Sequence, residues 1–277
     1  MRKKKIPFIE QLSVHIILFV AFLIMAIPFF WMVSTSFKNP DEIYIFPPRW
    51  VPHRPTFDNY IELFKTVDFG RPLLNTIIVA VTSTFLSVML SAMAGYGFAK
   101  FRFRGKEKLF LLVLATLMVP GQMTLIPVYL ILNSLNLLNT YAGLILPGVA
   151  SAFGIFFMRQ FITSIPDELI DAAKMDGARE FFIFLKIILP LSKPALATLT
   201  IFNFVGAWNS FLWPLIVATD EKMYTLPVAI SVVQGQYGEK IALQMSGSFI
   251  VIIPIIIVFF FAQKYIIKGL SMSGMKF

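Results

Sequence analysis

The chain has 277 residues and a formal net charge of +9, with 24 Lys+Arg against 15 Asp+Glu, while 57% of residues are hydrophobic and 14% charged. That composition is too apolar for a soluble domain. The absence of cysteine excludes disulfides, thiolate metal sites and a cysteine nucleophile, and the two histidines, His15 and His53, stand too far apart for a zinc site within one segment.

Five stretches, 11–37, 72–99, 109–158, 194–219 and 241–263, contain no Asp, Glu, Lys or Arg. A helix crosses a bilayer with about 20 apolar residues, so four of these runs fit one span each and the third fits two. The expected architecture is an all-α membrane protein, a single domain over 1–277 with spans near 12–33, 73–98, 109–131, 141–158, 195–218 and 241–262. The first run follows Arg2-Lys3-Lys4-Lys5 and is too long for a cleaved signal peptide, with no A-x-A site. With the N-terminus inside, 17 Lys+Arg fall on cytoplasmic segments and 7 on outer ones. The positive-inside rule therefore places both termini in the cytoplasm. The basic excess orients the chain and requires no nucleic acid.

In chain order, the outer loop from Lys38 to Arg71 opens with Phe46-Pro47-Pro48-Arg49-Trp50. It continues with Phe57, Tyr60, Ile61, Phe64 and Val67 at helical spacing, which predicts a short amphipathic helix at the outer interface. In span two, Ser83, Ser87, Ser91, Gly95 and Ala99 recur every four residues and predict a close-packing seam. Pro28, Pro120, Pro127, Pro147 and Pro254 mark kinks or helix ends. Asn133, Asn136 and Asn139 crowd the turn between spans three and four.

The inner loop 159–193 is longer than a connection requires. Ser164 with Asp167 three residues on predicts a capping box, Pro166 suits a first turn, and Gly177 suits a left-handed helix end. The result is a helix of about three turns. Its apolar face is expected at Ile165, Leu169, Ala172 and Ala173, with Asp167, Glu168, Asp171 and Lys174 elsewhere. A second helix is expected from Ala178 to about Ile188, ending at Leu189-Pro190. From the residues alone, this pair is either a compact docking element or an amphipathic segment resting on the membrane. In span five, Asn203, Trp208, Asn209 and Ser210 are polar groups that serve either as substrate contacts for a neutral sugar or as glue between helices. The following outer loop carries Tyr224, Gln234, Gln236 and Tyr237, which offer adaptable hydrogen bonding.

Asp171-Ala172-Ala173, Gly177, Ile187 and Leu189-Pro190 resemble the E-A-A, G, I-x-L-P signature of ABC importer permeases. Asn59-Tyr60, Asn75-Thr76, Ala94-Gly95-Tyr96-Gly97, Met158-Arg159-Gln160-Phe161 and Trp208-Asn209 resemble the carbohydrate-type permeases. The tail Gly269-Leu270-Ser271 is similar to the subunit typified by the second permease of the maltose transporter. Asp171 replaces the usual Glu, and Ser210 stands where an acidic residue is common. The resemblance implies a type I permease fold in a prokaryotic inner membrane, working with a second permease, two ATP-binding subunits and an external sugar-binding protein. It also implies coupling to the ATPase through Asp167, Glu168, Asp171, Ala172, Ala173, Asp176, Gly177 and Pro190, and contact of the outer loop with the binding protein. ATP and Mg would be bound by the partners, since no G-x-x-x-x-G-K-[ST] occurs here. The expected function is carbohydrate import by alternating access, with glycerol-phosphate compounds as the alternative substrate. An ion-coupled transporter would place an ionisable residue at mid-membrane, and an enzyme would need a catalytic constellation; the charge-free runs carry neither.

Overall fold

The computed structural model describes residues 8–66, 68–236 and 241–273, and every regular element among them is helical. In chain order these are α1 (Phe8–Ser36), α2 (Pro40–Ile43), α3 (Asp58–Thr66), α4 (Gly70–Lys100), α5 (Lys106–Thr116), α6 (Gly121–Ser134), α7 (Tyr141–Val149) and α8 (Ala152–Thr163). They continue with α9 (Asp167–Met175), α10 (Glu180–Leu191), α11 (Lys193–Trp208), α12 (Leu212–Val217), α13 (Leu226–Gln236) and α14 (Ile241–Ser273). Among the described residues, three helices are long and apolar enough to cross a membrane, and three bent pairs raise the number to six if each pair is one span. The pairs are α5 with α6, bent by 97°, α7 with α8, bent by 46°, and α10 with α11, bent by 81°.

Proline explains where helices break and where they do not. Pro28, Pro127 and Pro254 lie inside continuous helices, whereas Pro120 starts α6 in an extended conformation after the break that follows α5. The charge-free run 194–219 holds two helices, α11 and α12, because Pro214 cannot donate to residue 210 and its ring crowds that carbonyl. Asn136 and Asn139 adopt left-handed backbone, φ 55° and 56°, which asparagine tolerates.

One compact unit comprises 1–68 with 230–252. The large apolar side chains of α1 from Leu12 to Phe30 are exposed, Met25 at 72%, as lipid- or partner-facing positions are. The segment after α1 is tightly knitted: buried Lys38 donates to the Arg49 carbonyl at 2.7 Å, and Nδ2 of Asn59 donates to the carbonyls of Ser36 and Lys38 at 3.0 and 2.8 Å. In α3, Asn59 and Leu63 are buried while Phe57 before it, Ile61 and Phe64 are exposed; Val67 lies outside the described residues.

The other unit comprises 69–229 with 253–277 and is built on α4. One apolar cluster joins Val88, Ala92 and Tyr96 of α4 to Met158 and Ile162 of α8, and continues through Ile170, Ile183, Ile188 and Leu199 into α9, α10 and α11. In lipid the gain from such contacts is close packing rather than removal from water. The small-residue stripe of α4 divides in two. A Cβ at Gly95 would stand 2.7 Å from Met158 Cβ and 2.9 Å from the Arg159 backbone nitrogen, and one at Gly154 would overlap the Ser91 hydroxyl. Ser91 and Gly95 are thus the seam against α8, whereas Ser83 and Ser87 border open space.

Candidate functional site

The 159–193 loop is held on its inner side by charge and on its far end by backbone geometry. Ser164 donates to the Phe161 carbonyl at 2.7 Å, closing α8, so the expected capping box does not form. Asp167 is unavailable to it because Nζ of Lys100, the last residue of α4, reaches its carboxylate at 2.6 Å and also donates to the Ile165 carbonyl. That hydrogen bond and charge hold the Asp167 carboxyl below its usual range. At the other end Gly177 has φ +81°, its N–H donates to the Lys174 carbonyl at 3.0 Å, and Ala178 donates to the Ala173 carbonyl at 2.9 Å. These two bonds are the Schellman closure of a helix.

The expected apolar face of α9 is corrected by the structure. Ile165, Ile170 and Ala173 pack on the core, whereas Leu169 and Ala172 face outward, because the Lys100 anchor and the Schellman closure together set the helix rotation. The outward surface carries Glu168, Leu169, Asp171, Ala172, Met175 and Asp176, with Leu169 at 45% and Met175 at 88% exposure. The second helix also differs from expectation. It starts at Glu180, whose carboxylate accepts from Tyr96 Oη at 2.9 Å and Lys174 Nζ at 2.7 Å. It passes through Pro190 to Leu191, because a π segment over Phe184–Ile188 relieves the clash that proline imposes on a preceding turn. Beyond it the chain bends by 81° into α11. Arg159, one turn before the end of α8, clamps Glu107 through two bonds of 2.9 and 3.0 Å and lies 3.7 Å above the Phe110 ring, tying α5 to α8.

A cavity of about 690 Å³ opens between α4, α6, α7, α11 and α12. Of the four polar residues expected in span five, it brings in Asn203 and Ser210. Trp208 is buried against Phe204, and Asn209 is exposed elsewhere. Asn203 Nδ2 donates to Ser87 Oγ at 3.1 Å, so it also joins α11 to α4. Thr84, Gln122, Thr124 and Trp213 line the cavity and were not singled out from the sequence. Periodicity shows which face of one helix is polar, but convergence of five helices is a property of the fold.

The 218–226 segment is fixed by asparagines. Asn75, fully buried, donates to the Lys222 and Tyr224 carbonyls at 2.8 and 2.9 Å and accepts from Tyr141 Oη at 2.7 Å. Asn139 Oδ1 accepts from the Thr219 and Asp220 N–H groups. Tyr224 is partly buried against a second apolar cluster, leaving Asp220, Glu221 and Lys222 as the exposed tip. Gln234 and Gln236 fall in α13, with their side chains outside the described residues, as is Tyr237.

Residues 87–272 match the family of binding-protein-dependent transport system inner membrane components. The arabinooligosaccharides transport system permease protein AraQ of Halalkalibacterium halodurans is 36% identical, with both chains covered over their full length. The lactose transport system permease protein LacG of Rhizobium radiobacter is 33% identical over 97% of this chain and 96% of its own. A solved bacterial ABC transporter involved in import of the acidic polysaccharide alginate has a chain that is 25% identical, with TM-score 0.83, covering 94% of this chain and 99% of that one. A second structure of an alginate transporter, in complex with a pentasaccharide-bound periplasmic protein, matches at TM-score 0.60 and 17% identity over 91% of each chain, which bears on the fold alone. With the family match spanning most of the chain, this protein belongs to the inner membrane components of binding-protein-dependent ABC importers and is a permease, not an enzyme.

Proposed function

We propose that this chain is the permease subunit of an ATP-driven importer that carries an oligosaccharide across the cytoplasmic membrane by alternating access. Sugar-transporting relatives over the full chain length support the substrate class. The observation that carries the ATP coupling is the two-sided character of α9. Its inner side is pinned by Lys100, Ile170 and Ala173, while its outer side presents Glu168, Leu169, Asp171, Ala172, Met175 and Asp176. Exposed apolar side chains among acidic ones, on a rigid short helix, suit insertion into a cleft with basic groups. That cleft belongs to an ATP-binding subunit, which supplies ATP and Mg; Gly177 fixes the end of the docked helix, and the stretch through Pro190 carries its movement into α11. A second permease completes the pathway, and a binding protein delivers the sugar on the side of the 218–226 segment. Both termini lie in the cytoplasm, as the distribution of Lys and Arg directs.

The test is Asp171→Lys in the assembled transporter. It is expected to insert normally and to lose sugar uptake, through lost co-purification of the ATPase or through ATP hydrolysis no longer tied to transport. Wild-type uptake with wild-type stimulation of hydrolysis would return the loop to a membrane-surface role.

A further inference from the structure

We infer that residues 44–51, in the loop that follows α1, form a membrane anchor whose apolar side chains enter the phospholipid headgroup layer at that end of the span. In the orientation proposed above this is the outer leaflet. The inference does not depend on the sugar or on the ATP coupling.

The side chains of α1 mark where the hydrocarbon layer ends. Every one from 11 to 30 except Ala26 is exposed, whereas Trp31, Met32 and Val33 are partly covered and Ser34, Thr35 and Ser36 are buried. From Leu12 to Trp31 there are 20 residues, which at 1.5 Å each span the roughly 30 Å of a hydrocarbon core. Length and change of burial therefore meet at Trp31, and its ring stands at the boundary of the apolar layer.

Beyond α1 the chain turns back along the helix instead of leaving it. The Ser34 hydroxyl donates to the Trp50 carbonyl, and Lys38 Nζ donates to the Arg49 carbonyl at 2.7 Å while lying 3.8 Å from the centre of the Trp31 ring. Trp31 meets Trp50 edge to face with ring centres 5.3 Å apart. Trp31 lies five residues before the last of α1, so Trp50 is drawn about 7.5 Å back from the helix end, to the boundary. The rest of the loop is closed on itself: the Glu42 carboxylate accepts from the His53 and Arg54 N–H groups at 2.8 and 3.1 Å, and Asn39 Nδ2 donates to the Arg54 carbonyl at 2.8 Å. Its side chains are thus held in place by the chain's own hydrogen bonds.

All eight residues of 44–51 are exposed, Arg49 is the only charged one, and Phe46 and Val51 are 93% and 65% exposed. A contiguous apolar patch on a fixed loop marks a contact surface. At the level of Trp31 the medium on offer is the membrane interface, where tryptophan and tyrosine concentrate. The guanidinium of Arg49 matches the phosphates of that layer, with which it can pair through two parallel hydrogen bonds. A soluble partner would have to reach down to the headgroups to cover the same side chains.

The test places single cysteines in a chain that otherwise has none: Phe46→Cys, Val51→Cys and, as the water-exposed reference, Glu221→Cys. Each is spin-labelled in complexes with a cysteine-free partner permease and cysteine-free ATPase subunits, isolated through the ATPase and reconstituted without binding protein in vesicles of phosphatidylethanolamine and phosphatidylglycerol. Electron paramagnetic resonance reads collision of the label with oxygen, which concentrates in lipid, and with nickel ethylenediaminediacetate, which stays in water. The oxygen-to-nickel ratio at 46 and at 51 is expected to exceed that at 221 by about fivefold or more, as for side chains buried some 5 to 10 Å into the interface. A ratio at either position equal to that at 221 places the loop in water and overturns the proposal. Shielding from both reagents, the sign of a covering protein such as the partner permease, overturns it equally.

Discussion

Replacing Gly177 isolates one physical quantity, because the residue sits in left-handed backbone with open space where a side chain would go. No steric clash contributes, so the cost of a substituent is that of φ +81° alone. For an L-residue this is about 1 to 2 kcal/mol, with β-branched side chains at the upper end and asparagine well below it. A cost of ~1 kcal/mol shifts the equilibrium between the Schellman-closed end of α9 and other turns about 5-fold, and ~2 kcal/mol shifts it about 30-fold. The expected order of coupling is therefore Gly above Asn above Ala above Val. It is read as sugar uptake per ATP hydrolysed in the reconstituted transporter, with insertion and subunit stoichiometry measured in parallel. If Gly177→Asn were as impaired as Gly177→Val, side-chain bulk at a docked surface would be the cause and the backbone argument would be refuted. Equal function across the series would show that the closure does not matter.

Three further outcomes follow from contacts already described. Gly95→Ala should lower stability by about 1 to 3 kcal/mol, since the new methyl meets Met158 and the Arg159 backbone, whereas Gly97→Ala, with nothing within 4 Å, should be neutral or slightly stabilising; thermal unfolding in detergent compares them. Asn75→Ala strands two carbonyls and the Tyr141 hydroxyl, and at about 1 kcal/mol or more for each unmet group it should expose 218–226 to proteolysis before the rest of the chain. The depressed carboxyl of Asp167 contributes stability that is fully present above the ordinary aspartate range near 4 and is lost as pH falls through its lower folded value, so acid melts of Asp167→Asn should lack that component.

What could be read in the chain divides along the line between local and distant causes. Gly177 announced its left-handed conformation, because that effect spans a turn or less, whereas the expected single span over 195–218 is broken before α12, beside Pro214. Ser164 and Asp167 had the right spacing for a capping box, yet a lysine 67 residues away from Asp167 claims the carboxylate. The rotation of α9 followed from that capture, which is why Ile170 faces inward where Leu169 was expected. The cavity was half legible: Asn203 and Ser210 stood out as polar residues in an apolar run, while Thr84 and Gln122 became meaningful only when five helices placed them on a common wall.

The bend at Ser192 has a mechanical consequence. The twelve residues Glu180–Leu191 rise about 18 Å at 1.5 Å each, forming the short arm of an elbow set at 81° to α11. An arm of this length turns a sideways push of about 3 Å at its Gly177 end into a rotation of roughly 10° at the elbow. Because α11 leaves the elbow nearly at right angles, such a rotation would sweep its far half, where Asn203 stands on the cavity wall, across a distance comparable to the original push. Under the proposed coupling the joint would act as a bell crank, changing the direction of a stroke without demanding that either helix bend.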